Sequence, residues 1–317
     1  MILLCGIPSE APLQLVAESA RSRDVAVALL NQRDAQRMQF VVRYDAQGGT
    51  GFLELDGRRH DLDSFTGVYT RLMDVHDLPE MRPLGRRPLN AEQHRTVLLH
   101  EALQQWLEVA PCLVMNRNAP SASNMSKPYQ AQLIRAAGFR IPQTLVTNDP
   151  AEARAFKTRH DRVVYKSISS IRSIVRELDR AGEKRLDSIR TLATQFQEYV
   201  AGTNVRVHVA GDAVFATRIS TEAVDYRYAR RDGLDVDMEP TSLPNDVEVR
   251  CRALADTLAL PLCGIDLKLT PEGEYVCFEV NPSPAYSYYQ EHTGQDIAGA
   301  IVCALLHGAG VCGEARP

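Results

Sequence analysis

The chain has 317 residues, of which 44% are hydrophobic and 24% are charged, as in an ordinary globular protein of two or three domains. Its formal net charge of −4 gives no general reason to expect nucleic acid or an anionic membrane as a partner. Because no apolar run reaches membrane length and MILLCGI has no basic leader, we expect a cytosolic protein without a signal peptide.

Residues 1–115 alternate strand and helix signals, which predicts an α/β domain. The runs ILLCGI and VAVALL flank an amphipathic stretch, and FVVRY and FLELDG follow around the glycine-rich corner at 47–51. Since these glycines precede a strand and not a helix, we interpret the corner as a hairpin turn rather than a phosphate-binding loop. Arg71 and Arg117 each follow a strand, where α/β sheets bind ligands, although a surface position is the commoner outcome for arginine.

The next part of the chain carries two lysines at the boundaries of predicted elements. Lys127 directly precedes the helix YQAQLIRAAG, and Lys166 ends the strand VVYK. Lysine is a compact positive charge that can follow phosphate oxygens. The segment after Lys166, SISSIRS, is rich in serine, whose hydroxyls can bind phosphate, but such a segment is more often a simple loop.

Strand QFQEYV leads to a glycine turn, and the strands NVRVHVAG and AVFATRIS then form a hairpin around Gly211. Arg206 and His208 share one face of the first strand, and Arg218 lies near the end of the second. A planar guanidinium binds phosphoryl and carboxylate groups through two hydrogen bonds, so we expect Arg206 and Arg218 to contact such groups. We interpret His208 as a hydrogen-bonded strand histidine.

A second hairpin, at 264–281, is predicted to have one polar and one apolar face. TPEG at 270–273 has the pattern of a type I turn, which would place Asp266 opposite Cys277. The predicted polar face consists of Asp266, Lys268, Glu279 and Asn281. The predicted apolar face consists of Leu267, Leu269, Val276, Phe278 and Val280. The oxygens of the polar face suit Mg²⁺; a solvated strand face is the alternative, but strand formers that are normally buried flank Glu279, where a carboxylate needs a cation.

The sequence GIDL, with EVNPSP starting thirteen residues after its aspartate, resembles the metal-binding end of the ATP-grasp superfamily. The resemblance implies that Asp266, Glu279 and Asn281 hold two Mg²⁺ ions, or Mn²⁺, against the phosphates of ATP. It also implies that Lys127 and Lys166, which match two lysines of the family, reach the α and β phosphates.

The same resemblance assigns the rest of the nucleotide site. In this family a hinge segment reads the adenine edge, and here it consists of Gln197, Glu198, Tyr199 and Val200. Asn204 stands where the family has an acidic residue that holds the ribose. The flap over the phosphates is usually rich in glycine, whereas this chain has serines, among them Ser169. The sequence DYR at 225–227 resembles a stretch of the RimK-like branch that lines the acceptor side, which assigns Arg227 there.

The resemblance covers roughly residues 110–305 and implies an ATP-grasp fold, an α/β architecture with α+β lobes. The preceding block fits the α/β domain that comes before ATP-grasp domains. We therefore expect a pre-ATP-grasp domain at 1–115, a small lobe at 116–195, a C-terminal lobe with the metal site at 196–310, and a frayed tail at 311–317. Seven scattered cysteines without a C-x-x-C pair are expected to be reduced core residues.

Within the superfamily the chain is similar to the RimK-like amino-acid ligases and to the microviridin-type, or graspetide, peptide-cyclising ligases. Both branches activate a carboxylate as an acyl phosphate and release ADP and phosphate. The acceptor is an α-amine in one branch, and a lysine amine or a serine or threonine hydroxyl of a precursor peptide in the other.

The resemblance thus implies an amino-acid or precursor-peptide substrate, and we expect a homo-oligomer, either a dimer or a tetramer. Two other classes stay open at this point: an ATP-grasp kinase, and an ATP-binding module without catalysis. The second is favoured by the missing flap glycines and by the uncharged Asn204. Turnover of ATP with an acceptor would exclude it, and a stable phosphorylated product would identify a kinase.

Overall fold

The computed structural model of the chain describes residues 1–45, 48–81, 88–168, 175–221 and 233–307. In these ranges the strands form one parallel sheet and three antiparallel sheets. No helix in the described part of the chain is both long and apolar enough to cross a membrane.

The first part of the chain forms the parallel sheet and a small antiparallel sheet. Its elements are β1 (Ile2–Gly6), α1 (Ala11–Ser22), β2 (Val27–Asn31), β3 (Met38–Asp45), β4 (Gly48–Leu55), β5 (Arg58–Asp61), β6 (Gly67–Thr70), α2 (Ala91–Val109) and β7 (Leu113–Met115). The parallel sheet has the order β2-β1-β6-β7, and β3, β4 and β5 form the antiparallel sheet. The predicted alternation of strands and helices is confirmed.

The glycine-rich corner joins β3 and β4, which pair as the predicted hairpin. Its glycines lie inside β4 rather than in the turn, and residues 46–47 lie outside the described residues. A Cβ at Gly51 would stand 1.9 Å from the carbonyl oxygen of Val41, so the close approach of two backbones explains this glycine.

The middle of the chain forms a four-stranded sheet with the order β10-β9-β11-β8. Its elements are α3 (Asn118–Ser121), α4 (Lys127–Ala136), β8 (Thr144–Thr147), α5 (Pro150–Arg159), β9 (Val163–Ser167), β10 (Arg176–Glu177), α6 (Arg180–Lys184) and β11 (Thr194–Glu198). Asp149 caps α5 by accepting a hydrogen bond from the amide of Ala151. Phe156 of α5 packs with Val163 and Phe196 in the core of this sheet.

The last part forms a five-stranded antiparallel sheet with the order β14-β13-β12-β15-β16. Its elements are β12 (Thr203–Ala210), β13 (Ala213–Ser220), β14 (Asp237–Thr241), α7 (Asn245–Thr257), β15 (Leu262–Leu269), β16 (Tyr275–Asn281), α8 (Ser287–Thr293) and α9 (Ile297–His307). Helix α7 covers one face of the sheet, where Leu254 packs against Val207 and Ile265. The opposite face therefore lies on the side where Arg206 and Asp266 point.

Helix α9 packs against the first sheet of the chain and not only against its neighbours in sequence. Ile301 and Leu305 share a buried cluster with Ile2 and Leu4 of β1. A Cβ at Gly67 would stand 2.5 Å from the carbonyl oxygen of Leu305, so glycine lets β6 approach the helix backbone. The two ends of the described chain thus share one core.

The cysteines are mostly as predicted. Cys5, Cys251, Cys263 and Cys277 are buried and free, and burial raises the pKa of the Cys251 and Cys263 thiols to about 12. Cys303 is disulfide-bonded, and its partner lies outside the described residues. The expectation that all the cysteines are reduced is therefore wrong at Cys303.

Candidate active site

Two one-residue shifts set the register of the hairpin formed by β15 and β16. The amide of Gly273 donates to the carbonyl of Thr270, which confirms the predicted turn, but the amide of Thr270 donates to Glu274 and so adds one residue to the loop. A second irregularity follows Asp266, whose partner across the strands is Glu279. The predicted pairing of Asp266 with Cys277 is therefore wrong. The two shifts have the same direction and do not cancel.

The two shifts together move the pairing by two residues. Because side chains alternate with a period of two, the residues beyond the bulge lie on the faces that were predicted for them. Asn281 pairs with Gly264 and therefore shares a face with Asp266 and Glu279, as predicted. The prediction fails for two apolar residues: Val276 pairs with Lys268 on the polar face, and Phe278 lines the cleft that Lys268 also lines.

The carboxylate of Glu279 lies between the two predicted lysines. Oε2 of Glu279 is 3.2 Å from Nζ of Lys127 and 3.9 Å from Nζ of Lys166. Lys127 is the first residue of α4 and also donates to Oδ1 of Asn124 at 2.6 Å. Since Lys166 comes from β9, three separate elements bring these charges together, and each side chain is less than a quarter exposed.

Asp266 is held by Arg206 on the neighbouring strand. Nη1 of Arg206 donates to Oδ1 of Asp266 at 2.7 Å, and the arginine side chain is only 6% exposed. A Cβ at position 264 would stand 1.9 Å from the Arg206 guanidinium, so Gly264 is needed to make room for it. In the GID motif, Asp266 thus supplies the carboxylate, and Gly264 leaves the space for the Arg206 guanidinium that binds it.

His208 completes this buried group. It accepts a hydrogen bond of 3.4 Å at Nε2 from Nε of Arg206, and its ring packs edge-on against Tyr289 of α8 at 4.8 Å. Burial and the Arg206 charge hold the pKa of His208 well below its ordinary value of 6.5, so the ring is neutral. The interpretation of His208 as a hydrogen-bonded strand histidine is confirmed. Tyr289, by contrast, was not predicted, and only the aromatic run after EVNPSP marks its position in the sequence.

Arg218 does not join the site, contrary to the expectation that it accompanies Arg206. It pairs with Val205 across β12, and Val205 belongs to the core beneath α7. Side chains alternate along a strand, so Arg218 lies on the face opposite to that of Arg206. There it forms a half-exposed ion pair of 2.9 Å with Glu239.

Buried amide side chains fix the strand that carries Glu279. Gln130 of α4 donates to the carbonyl of Val280 at 2.8 Å and accepts from its amide at 3.0 Å. The Gln130 side chain thus replaces a neighbouring strand at the edge of the sheet. Asn116 likewise accepts from the amide of Leu262 at 3.1 Å and donates to the carbonyl of Pro282. The sequence signal for Gln130 is a glutamine on the apolar face of an amphipathic helix.

Arg71 and Arg117 have different surroundings. Nη1 of Arg71 donates to Oγ of Ser283 at 3.1 Å and to the carbonyl of Pro284 at 3.3 Å, so Arg71 holds the loop after Asn281. Arg117 donates to the carbonyls of Leu107, Ala110 and Cys112 and so stabilises the C-terminal end of α2 and the chain after it. Arg117 therefore does not face the site.

A cleft runs between the middle sheet and the last sheet. It is lined by Val164, Lys166, Gln197, Glu198, Tyr199, Val200, Asn204, Arg206, Asp266, Lys268, Phe278 and Glu279. The structure thus brings together most of the residues predicted to bind a nucleotide, with the lysines and carboxylates at one end and 197–200 at the other. Ser169 and Arg227 lie outside the described residues.

The hinge end of the cleft is fixed by its own contacts. The amides of Glu198 and Tyr199 donate to the carbonyls of Gln143 and Arg162, both at 3.0 Å. The Glu198 carboxylate forms a 3.0 Å ion pair with Arg140. The guanidinium of Arg162 stacks 3.6 Å from the centre of the Tyr199 ring, which anchors that side chain.

The residues on the polar face fit a magnesium site that is completed by a ligand. In the described ranges no three His, Cys, Asp or Glu side chains cluster as a ready-made metal site. Asp266, Glu279 and Asn281 supply two carboxylates and one amide oxygen, which are hard ligands, whereas Mg²⁺ takes six. Such a set suits an ion whose remaining ligands are phosphate oxygens and water.

Comparison with known proteins identifies the class. Residues 125–305 match the family model of the RimK-like ATP-grasp domain, which is more than half of the chain. The chain therefore belongs to the RimK-like ATP-grasp family, and the predicted family and fold are confirmed.

Solved and curated relatives agree with this assignment. The ATP-grasp ligase PsnB, solved with a phosphomimetic variant of a minimal precursor, Mg and ADP, superposes with a TM-score of 0.78 at 26% identity and 98% coverage of both chains. A probable alpha-L-glutamate ligase of Alkalilimnicola ehrlichii is 26% identical over 216 residues, 64% of this chain and 70% of the relative. The ribosomal protein bS6–L-glutamate ligase of Salmonella paratyphi B is 27% identical over 212 residues, 63% of this chain and 69% of the relative. The prediction of an ATP-dependent ligase is confirmed at the level of class.

Proposed function

We propose that the protein activates a peptide carboxylate as an acyl phosphate, with release of ADP, and then joins it to an amine or a hydroxyl. The observation that carries the proposal is the arrangement around Glu279. One carboxylate between Lys127 and Lys166, directly across from Asp266 with its buried Arg206, is suited to a polyphosphate with its metal ions.

ATP is the proposed nucleotide. Its adenine would lie at the hinge of Gln197, Glu198, Tyr199 and Val200, and its ribose at Asn204. Its α and β phosphates would lie at Lys127 and Lys166, and Ser169 of the serine-rich segment after Lys166 is proposed as a further phosphate contact. PsnB was solved with ADP, which supports an adenine nucleotide as the ligand of this fold.

Asp266, Glu279 and Asn281 are the proposed ligands of two Mg²⁺ ions, with Glu279 shared between them, and Mn²⁺ can replace Mg²⁺ at such oxygen ligands. When bound, the ions neutralise the charge that develops on the phosphates. In the structure Lys127 forms an ion pair with Glu279 and Arg206 with Asp266, and these pairs hold the two carboxylates in place.

The chain's own residues would orient the first step. A carboxylate oxygen forms a bond to the γ-phosphorus while the bond from that phosphorus to the bridging oxygen of ADP breaks. Asp266 holds Arg206, and Gly264 leaves room for its guanidinium. The guanidinium would therefore lie beside the γ-phosphoryl group without needing to reorganise. In the second step the amine or hydroxyl forms a bond to the acyl carbon while the bond from that carbon to the phosphate oxygen breaks, and the proton of the nucleophile leaves with the phosphate. Arg227 is proposed on the acceptor side.

A peptide is the proposed substrate because PsnB was solved with its precursor. An acidic side chain would donate the carboxylate, and a lysine amine or a serine or threonine hydroxyl would accept it. A free amino acid is the alternative acceptor, because two relatives are named as glutamate ligases.

Hydroxylamine trapping tests the proposal without the natural acceptor. The protein would be incubated with ATP, Mg²⁺, glutamate-containing peptides and hydroxylamine, with Glu279→Gln as the matched control. Hydroxamate formed together with ADP supports the acyl phosphate. Hydroxamate with AMP and pyrophosphate would exclude it, and a stable phosphorylated product without hydroxamate would indicate a kinase.

The division at 115 and 195 into three domains likewise stays a proposal, but its second boundary falls inside β11, whose Phe196 belongs to the core of the middle sheet. The homo-oligomer, a dimer or a tetramer, stays a prediction that light scattering can measure. The cytosolic location also stays a prediction.

A further inference from the structure

Lys268 is a cationic side chain in the cleft that the proposed mechanism does not use. It lies on β15, directly opposite Asn204 of β12, so the two side chains are neighbours on the cleft face of the sheet. Both residues line the same cleft as the hinge. Lys268 therefore lies at the part of the cleft assigned to the sugar of the nucleotide.

The surroundings of Lys268 are aromatic and cationic. Its Nζ is 5.4 Å from the centre of the Tyr199 ring and 6.0 Å from that of Phe278. Among the residues that the structure describes, no carboxylate forms an ion pair with it, and Arg162 lies on the same Tyr199 ring. The rings attract a cation weakly, but they offer no acceptor for its three N–H groups.

A partly buried ammonium group without an acceptor is costly to the unliganded protein. Asn204 is its partner across the strands, and the Asn204 amide is uncharged. Lys268 thus adds N–H donors to this end of the cleft, where Asn204 offers both a donor and an acceptor. Ribose oxygens are acceptors of the kind that Lys268 lacks.

We propose that Lys268 donates a hydrogen bond to a ribose hydroxyl oxygen of the bound nucleotide and so sets the preference for ribonucleotides. The inference rests on the proposed nucleotide site. It predicts opposite effects of removing the charge: the unliganded protein keeps or gains stability because an unpaired cation is gone, while the liganded protein loses a charged hydrogen bond. A purely structural role for Lys268 would instead lower the stability.

The test compares two nucleotides on three proteins by calorimetric titration. The nucleotides are ATP and 2′,3′-dideoxy-ATP, which lacks both sugar hydroxyls. The proteins are the wild type, Lys268→Met, and the control Lys184→Met, which removes an exposed lysine of α6. We expect the wild type and the control to bind ATP about tenfold more tightly than the dideoxy nucleotide. Lys268→Met should lose most of this preference because its affinity for ATP falls, and any remaining preference is the contribution of Asn204.

Each other outcome is decisive. A Lys268→Met variant that binds ATP as the wild type does, or that keeps the full wild-type preference for ATP, overturns the inference. A variant whose affinities for ATP and for the dideoxy nucleotide fall by the same factor overturns it as well, because Lys268 would then contact the base or the phosphates. A wild type that binds neither nucleotide would overturn the proposed function together with this inference. A loss of thermal stability in Lys268→Met with unchanged nucleotide preference would indicate a structural role only.

Discussion

Replacing Gln130 by leucine is expected to destabilise the protein although the side chain touches no part of the cleft. Gln130 is 1% exposed, and its amide makes two hydrogen bonds to the backbone of Val280, which is fully buried. Leucine has a similar volume but can make neither bond. The N–H and C=O of Val280, which point away from β15 at the edge of the sheet, would then be buried without partners.

The expected cost follows from these two groups. Each buried backbone group left without a partner costs about 1–3 kcal/mol, and the added apolar surface of leucine offsets about 1 kcal/mol. We therefore expect Gln130→Leu to lower the free energy of unfolding by about 1–5 kcal/mol. Because Val280 lies between Glu279 and Asn281, we also expect half-maximal activity to require more Mg²⁺.

Urea denaturation measures the first effect, and Mg²⁺ titration of the activity measures the second. Gln132→Leu is the matched control, because Gln132 lies on the same helix but is exposed, and it should change stability by less than about 0.5 kcal/mol. If the two variants differ in unfolding free energy by less than about 0.5 kcal/mol, the reasoning about the edge of β16 is wrong.

Three further predictions concern charged and titratable groups. Glu279→Gln should abolish turnover in a folded protein, because the proposed Mg²⁺ ions lose the carboxylate that they share; normal turnover would contradict the metal assignment. Lys127→Met and Lys166→Met should each weaken ATP binding about tenfold by calorimetry, and two unchanged dissociation constants would exclude the phosphate role. The depressed pKa of His208 means that its contribution to stability is complete above pH 6.5 and is lost as the pH falls through its folded-state pKa. His208→Phe should therefore lose less unfolding free energy than the wild type between about pH 7.5 and 5.5, and an equal loss would argue against a neutral buried ring.

The sequence allowed the chemistry of the metal hairpin to be predicted better than its geometry. Alternation of side chains placed Asp266, Glu279 and Asn281 together, and the structure agrees. The pairing failed because the loop is one residue longer than predicted and a bulge follows Asp266, and no local pattern in the sequence reveals the bulge. Phe278 was misplaced for the same reason, and its ring lines the cleft instead of joining the core.

Arg218 is a different kind of error, because the sequence contained the information. The turn at 211–212 pairs Ala210 with Ala213, and counting along the strands then places Arg206 opposite Thr217. Arg218 must therefore point to the other face. Gln130 could have been suspected from its apolar helix face, but its partner Val280 is 150 residues away, and only the fold shows that contact.

The position of α9 has a consequence for the order in which the protein can fold during synthesis. The strands of the parallel sheet leave the ribosome early, but Ile2 and Leu4 pack against Ile301 and Leu305, which leave it much later. One face of that sheet thus stays partly uncovered, with only α1 packed on it, while more than half of the chain is still being made. A nascent chain released before residue 297 would expose this face to water and to other chains, so aggregation of truncated products is expected to begin at the N-terminal sheet.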